Sequence, residues 1–163
     1  MGSVKKSELD ELRDAIIELQ NKVAVLEENQ LRLRATKLSD SSYPYWNYLL
    51  GFGIRDEVRR NIEYALFILS ERLSGNNIIM AASDELSDKM LDSDDIYVTK
   101  NKANLYPKEL FDAGIPTYKD TVNIIMKIME IDDEVVVFDL LLSIYWQSMF
   151  KELMKHLLIP NLK

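Results

Sequence analysis

The sequence predicts an all-α protein in which an N-terminal coiled-coil helix precedes a compact helical bundle domain. The expectation rests on a heptad of apolar residues from Leu9 to Leu33, on helical apolar spacing in several later segments, and on the lack of any strand-rich pattern or internal repeat. With 163 residues, 47% of them apolar, the chain has room for one ordinary domain plus an extension and can bury a core.

Residues 1–7 read as a disordered start or an expression scar, the latter suggested by Met1-Gly2-Ser3, and they lack the apolar run of a secretion signal. Ser7, followed three residues later by Asp10, is a weak capping box that places a helix start there. Over residues 8–37 the apolar positions step by three and four. Taking Leu9 as position a puts Leu9, Ile16, Val23 and Gln30 at a, and Leu12, Leu19, Leu26 and Leu33 at d. β-Branched residues at two a positions with Leu at every d favour two parallel strands, so the expected partner is a second copy, as a homodimer or a higher oligomer. In a parallel pair Glu8 would face Arg13 and Lys22 would face Glu27, and no like charges meet. Gln30, paired with its own copy, would penalise slipped registers. The competing expectation is that this stripe packs on the protein's own C-terminal domain. A second apolar line at b, made of Ile17, Ala24 and Leu31, would stay wet in a dimer and offers a surface to a further helix, the globular domain or a partner.

Residues 38–47 read as a linker, with Ser39, Asp40, Ser41, Ser42 and Pro44 breaking the period, and residues 48–160 as the α-helical globular domain. The aromatic segment around Tyr45, Trp46 and Tyr48, running on through Leu49, Leu50 and Phe52, is a candidate partner surface, with a short helix or turn anchoring the chain to its own core as the alternative. Asp56 to Leu73 forms a helix with Val58, Ile62, Ala65, Leu66, Leu69 and Leu73 on one face and Gly75 as its cap. Ile78 to about Leu91 is assigned a second helix, and Ile96, Tyr97 and Val98 at most a short extended piece. Pro107 to Ala113 resembles a brief helix, and Thr117 with Asp120 opens another that carries Val122, Ile125, Met126 and Met129. One long, apolar final helix is expected from about Asp132 to Leu158, with Asp139, Ser143, Gln147, Lys151 and Lys155 aligned in a polar strip.

Composition narrows the function classes. The net charge is −7, from 27 acidic and 20 basic residues, and such an acidic chain does not take nucleic acid as its default partner. The chain has no cysteine, which removes disulfides, thiolate zinc sites and thiol nucleophiles and favours a reducing compartment, hence a cytoplasmic or otherwise intracellular protein. The longest apolar stretch, Val135 to Trp146, contains Asp139 and Ser143 and is short of the roughly 20 residues of a membrane span, so no membrane partner is expected.

His156 is the only histidine, and Glu152 one turn before it does not complete a zinc site. Asp92, Asp94 and Asp95 suggest a calcium loop, but Tyr97 stands where the sharp turn wants Gly and Ala103 where a bidentate Glu belongs. Phosphate loops, nucleophile elbows and triads are missing, so no catalytic residue, metal or cofactor is expected. The chain therefore reads as a non-enzymatic adaptor, scaffold or inhibitor that binds an unidentified protein and gains valency from its coil. A dimeric nucleic-acid-binding regulator is the alternative, its contacts drawn from Arg32, Arg34 and Lys37 at the end of the coil and from Arg55, Arg59 and Arg60 after the hinge. A small helical metal-dependent enzyme built on carboxylates such as Asp139 ranks third.

Overall fold

The computed structural model describes residues 8–37, 41–81 and 95–161, and the chain divides into two units between Ser41 and Ser42. The first unit contains a single unbroken helix, α1 (Glu8–Lys37). Its 30 residues hold no Gly or Pro, and at 1.5 Å per residue it extends about 45 Å. Lys22 pairs with Glu18 one turn back at 2.7 Å, in the orientation that supports a helix. Ser7, the expected cap, lies outside the described residues.

The second unit is a helical bundle. It comprises α2 (Pro44–Gly51), α3 (Asp56–Ser74), β1 (Ile78–Ala81), β2 (Ile96–Thr99), α4 (Lys100–Ala103), a 3-10 turn (Lys108–Phe111), α5 (Tyr118–Met129), α6 (Glu134–Trp146), α7 (Lys151–Leu158) and a closing 3-10 turn (Ile159–Asn161). Its core joins Ile62, Leu66 and Leu69 of α3, Val122 and Ile125 of α5, Leu140, Leu141 and Ile144 of α6, and Leu153 and Leu157 of α7, all buried. The helix boundaries follow local chemistry. Gly75, at φ 87°, closes α3 in the left-handed conformation that spares a side chain the steric penalty. Thr117 accepts from the Asp120 amide at 3.2 Å and donates its hydroxyl to the Asp120 carboxylate at 2.6 Å, opening α5. Asp133 accepts from the Val135 amide at 2.9 Å and opens α6.

Three expectations are corrected. The linker is shorter than residues 38–47, because α2 already begins at Pro44, whose fixed φ suits the first helical turn. The helix expected from Ile78 starts instead as a strand. β1 pairs in parallel with β2, register Ile78↔Ile96 through Ala81↔Thr99. The pairing is anchored at its start by Asn77, whose carbonyl accepts from the Ile96 amide at 2.8 Å and whose side chain donates to Asp95 at 2.9 Å. Residues 82–91 of that expected helix lie outside the described residues.

The long final helix is two helices. The chain leaves the helical path after Trp146, with Ser148 at φ 61° and Phe150 at φ 46°. Each such residue costs about 1–3 kcal/mol. In return α7 packs against α6 and buries Leu153, Met154, Leu157 and Leu158, each worth about 1.5–3 kcal/mol. Burial wins, which is why a segment too apolar to be covered as one rod breaks and covers itself. The expected polar strip breaks with it. Asp139 is exposed, Ser143 is buried with its hydroxyl on the Leu140 carbonyl at 2.6 Å, and Lys155 pairs with Glu152 at 3.0 Å.

Candidate interaction surface

Along α1 the heptad positions form one line, and the described seam side chains Leu12, Ile16, Leu19, Val23 and Leu26 are 51% to 66% exposed. Gln30 is exposed as well. Leu9 and Leu33 fall inside α1, but their side chains lie outside the described residues, as does that of Leu31. Ile17, on the second apolar line, is 55% exposed. The sequence reading overlooked Val25 at position c, which is equally exposed and widens the apolar surface of this helix. Helices that expose so many large apolar side chains in a row are recognition surfaces or aggregation hazards rather than ordinary solvated faces.

The aromatic segment divides. Tyr45, expected at a partner surface, is a core residue. Its ring is fully buried and its hydroxyl donates to Glu63 at 3.2 Å, so burial and the neighbouring carboxylate push the phenol well above its ordinary range. Tyr48 is half-buried. It donates to the Val136 carbonyl at 2.6 Å and stacks on Phe52 with ring centres 4.4 Å apart, and burial pushes its phenol up to about 12. Trp46 alone of the three is exposed, at 43%, with the Arg59 guanidinium over its ring 5.5 Å from the centre. The alternative expectation, a short helix anchoring the chain to its own core, describes α2. Sequence reasoning missed how that anchor is made: the Gln147 side chain accepts from the amides of Tyr45 at 2.9 Å and Trp46 at 3.4 Å, serving as a cap from 101 or 102 residues away.

Of the three basic residues Arg55, Arg59 and Arg60, the last two are engaged within α3. Arg59 forms contacts of 2.7 Å to Asp56 and 2.8 Å to Glu63, and Arg60 lies 3.2 Å from Asp56. The hydrogen bond from Arg59 holds the Asp56 carboxyl below its usual range. Arg55 is exposed. Arg32, Arg34 and Lys37 belong to α1, and their side chains lie outside the described residues. His156 sits at the end of α7 with its Nε2 3.0 Å from the Pro116 carbonyl. Asp92 and Asp94 are outside the described residues, while Asp95 accepts from Asn77. Among the described residues no group of three or more His, Asp or Glu is arranged to hold a metal ion, and no helix is long and apolar enough to cross a membrane.

No protein-family model matches the chain, and neither a curated protein nor a solved structure does.

Proposed function

We propose that the chain is a non-enzymatic interaction protein, an adaptor, scaffold or inhibitor, whose α1 seam associates with a second copy in a parallel coiled coil and whose helical bundle recognises a further protein. The observation that carries the proposal is the line of Leu, Ile and Val on an unbroken 30-residue helix, exposed along its described length. A narrow a/d seam meets its match most readily on an identical helix, because knobs and holes then repeat in the same register. The bundle supplies recognition in this account, through Trp46, and Ile17 on the second apolar line of α1 is a further exposed side chain open to a partner. Two linked copies bind a repeated target more tightly than one through effective concentration. An intracellular location belongs to the same proposal and rests on composition alone.

The nucleic-acid alternative draws on Arg59 and Arg60, which are both ion-paired to carboxylates of their own helix, so nothing in their geometry favours it. The test is removal of residues 1–38. Light scattering should then report a monomer whose far-ultraviolet dichroism remains that of a folded helical protein, while the full chain gives twice the monomer mass or a higher multiple. A truncated chain with the same oligomeric state as the full chain would refute the proposal.

A further inference from the structure

Among the described residues Arg72 is the only charged side chain buried from solvent, at 8% exposure. It comes from the last turn of α3. Its Nε donates to the Gly114 carbonyl at 3.2 Å, and its Nη1 donates to the carbonyls of Glu109 at 3.1 Å and Leu110 at 3.0 Å. Those bonds use three of the five N–H groups of a guanidinium. The two on Nη2 have no acceptor among the described residues, and no described carboxylate is in ion-pair contact with the group. A buried cation held only by neutral carbonyls is electrostatically under-compensated. Burial accordingly pushes Arg72 below its ordinary range, against a partial opposing pull from Asp112 and Asp120.

Nη2 is not sealed in, since the only buried side-chain polar atom without a partner among the described residues is the Thr121 hydroxyl. Arg72 lines a pocket of about 320 Å³ whose walls include Asn76, Asn77, Ile78, Phe111 and Ile115. Asn76 and Asn77 each give one of their two amide N–H groups to a carboxylate, Asn76 to Glu71 at 2.6 Å and Asn77 to Asp95 at 2.9 Å. Arg72 is the only cation among the residues lining this pocket, and Nη2 is the part of its guanidinium that no carbonyl occupies.

We propose that this pocket binds a small monocarboxylate with an apolar body, its carboxylate on Nη2 of Arg72 and its hydrocarbon against Ile78, Phe111 and Ile115. The size lies at the lower end of small-molecule sites, about 300–1,000 Å³, and suits a metabolite-sized acid. The bidentate fork of the guanidinium is spent on carbonyls, so one oxygen per N–H is the available geometry. Asp112 lines the same pocket and disfavours a phosphate dianion, which selects a single negative charge. The site does not depend on α1 or on dimerisation.

The test is a titration of the 15N-labelled full chain with sodium phenylacetate and sodium isovalerate, against sodium chloride at equal ionic strength, with sodium phosphate as a further arm. The signals followed are the Arg72 side-chain N–H and the backbone N–H groups of Gly114 and Ile115. Both carboxylates should give saturable shifts that chloride does not, and phosphate should bind more weakly. Arg72 is left intact because it also holds three carbonyls. Ile115→Glu, at an exposed wall position, should weaken carboxylate binding about tenfold or more with the melting temperature unchanged, and Ile115→Gln should have a smaller effect. Shifts that never saturate, that chloride reproduces, or that Ile115→Glu leaves at wild-type affinity would overturn the proposal, and tighter binding of phosphate would overturn the ligand class.

Discussion

Gln147 supplies to α2 the acceptor that a capping residue normally provides from the adjacent position, since Tyr43 at the N-cap makes no side-chain cap bond. Replacing Gln147 by Ala leaves the Tyr45 amide unsatisfied at a part-buried site and should cost about 0.5–2 kcal/mol, measured as a fall in the urea midpoint. Gln147→Glu keeps the acceptor and adds a negative charge at a helix N-terminus, so it should retain the wild-type midpoint near neutral pH. Tyr45 and Tyr48 give a second prediction. Both phenols hold their proton more tightly in the folded chain than in the unfolded one. The stability they contribute is complete below the ordinary phenol value of 10 and falls as pH rises towards and through about 12. The urea midpoint should decline over that window, and Tyr48→Phe, which costs about 1 kcal/mol at neutral pH through loss of the bond to Val136, should make the decline shallower. At this scale local signals were readable: Thr117 with Asp120 and Gly75 fall where their spacing places them. The Gln147 and Arg72 contacts were not, because their partners lie 101 or 102 and 37 to 42 residues away and no local pattern encodes them.

At the scale of elements, α1 makes the strongest claim, and it can be tested by position. Gln30 at a is expected to face its own copy across the axis of a parallel dimer. Because the chain has no cysteine, Gln30→Cys should give, on mild oxidation, one disulfide-linked dimer band on a non-reducing gel. Cross-linking of Val25→Cys with equal yield would contradict the register, since c points away from the seam. The helices of the bundle were legible where a 3.6-residue period had a cap at each end, as in α3 and α5. β1 was not. Ile78, Ile79, Met80 and Ala81 form a short apolar run, and such a run reads equally as strand or buried helix until its partner is known. The break between α6 and α7 was hidden for a different reason: neither Ser148 nor Phe150 is a residue that favours φ above zero, so the turn is imposed by packing and carries no punctuation.

For the whole molecule, the division between Ser41 and Ser42 leads to a prediction of two separate unfolding transitions. If α1 is stable only when paired, its melting depends on protein concentration, whereas a bundle with its own buried core melts independently of it. Calorimetry across a hundredfold concentration range should therefore show one transition that moves and one that does not. The all-helical class was legible from composition and periodicity. The surfaces open to a partner were only partly legible, because exposure is decided by the fold: Tyr45 and Trp46 are neighbours in sequence, yet one is core and the other faces solvent. The central claim is that the seam of α1 is satisfied by an identical helix. Sedimentation equilibrium of the intact chain carrying Leu19→Glu and Leu26→Glu tests it most directly, because it places charges where an apolar seam would close and changes no residue of the bundle. The account predicts a dimeric or larger wild type and a monomeric variant; a variant with the same mass as the wild type would contradict it.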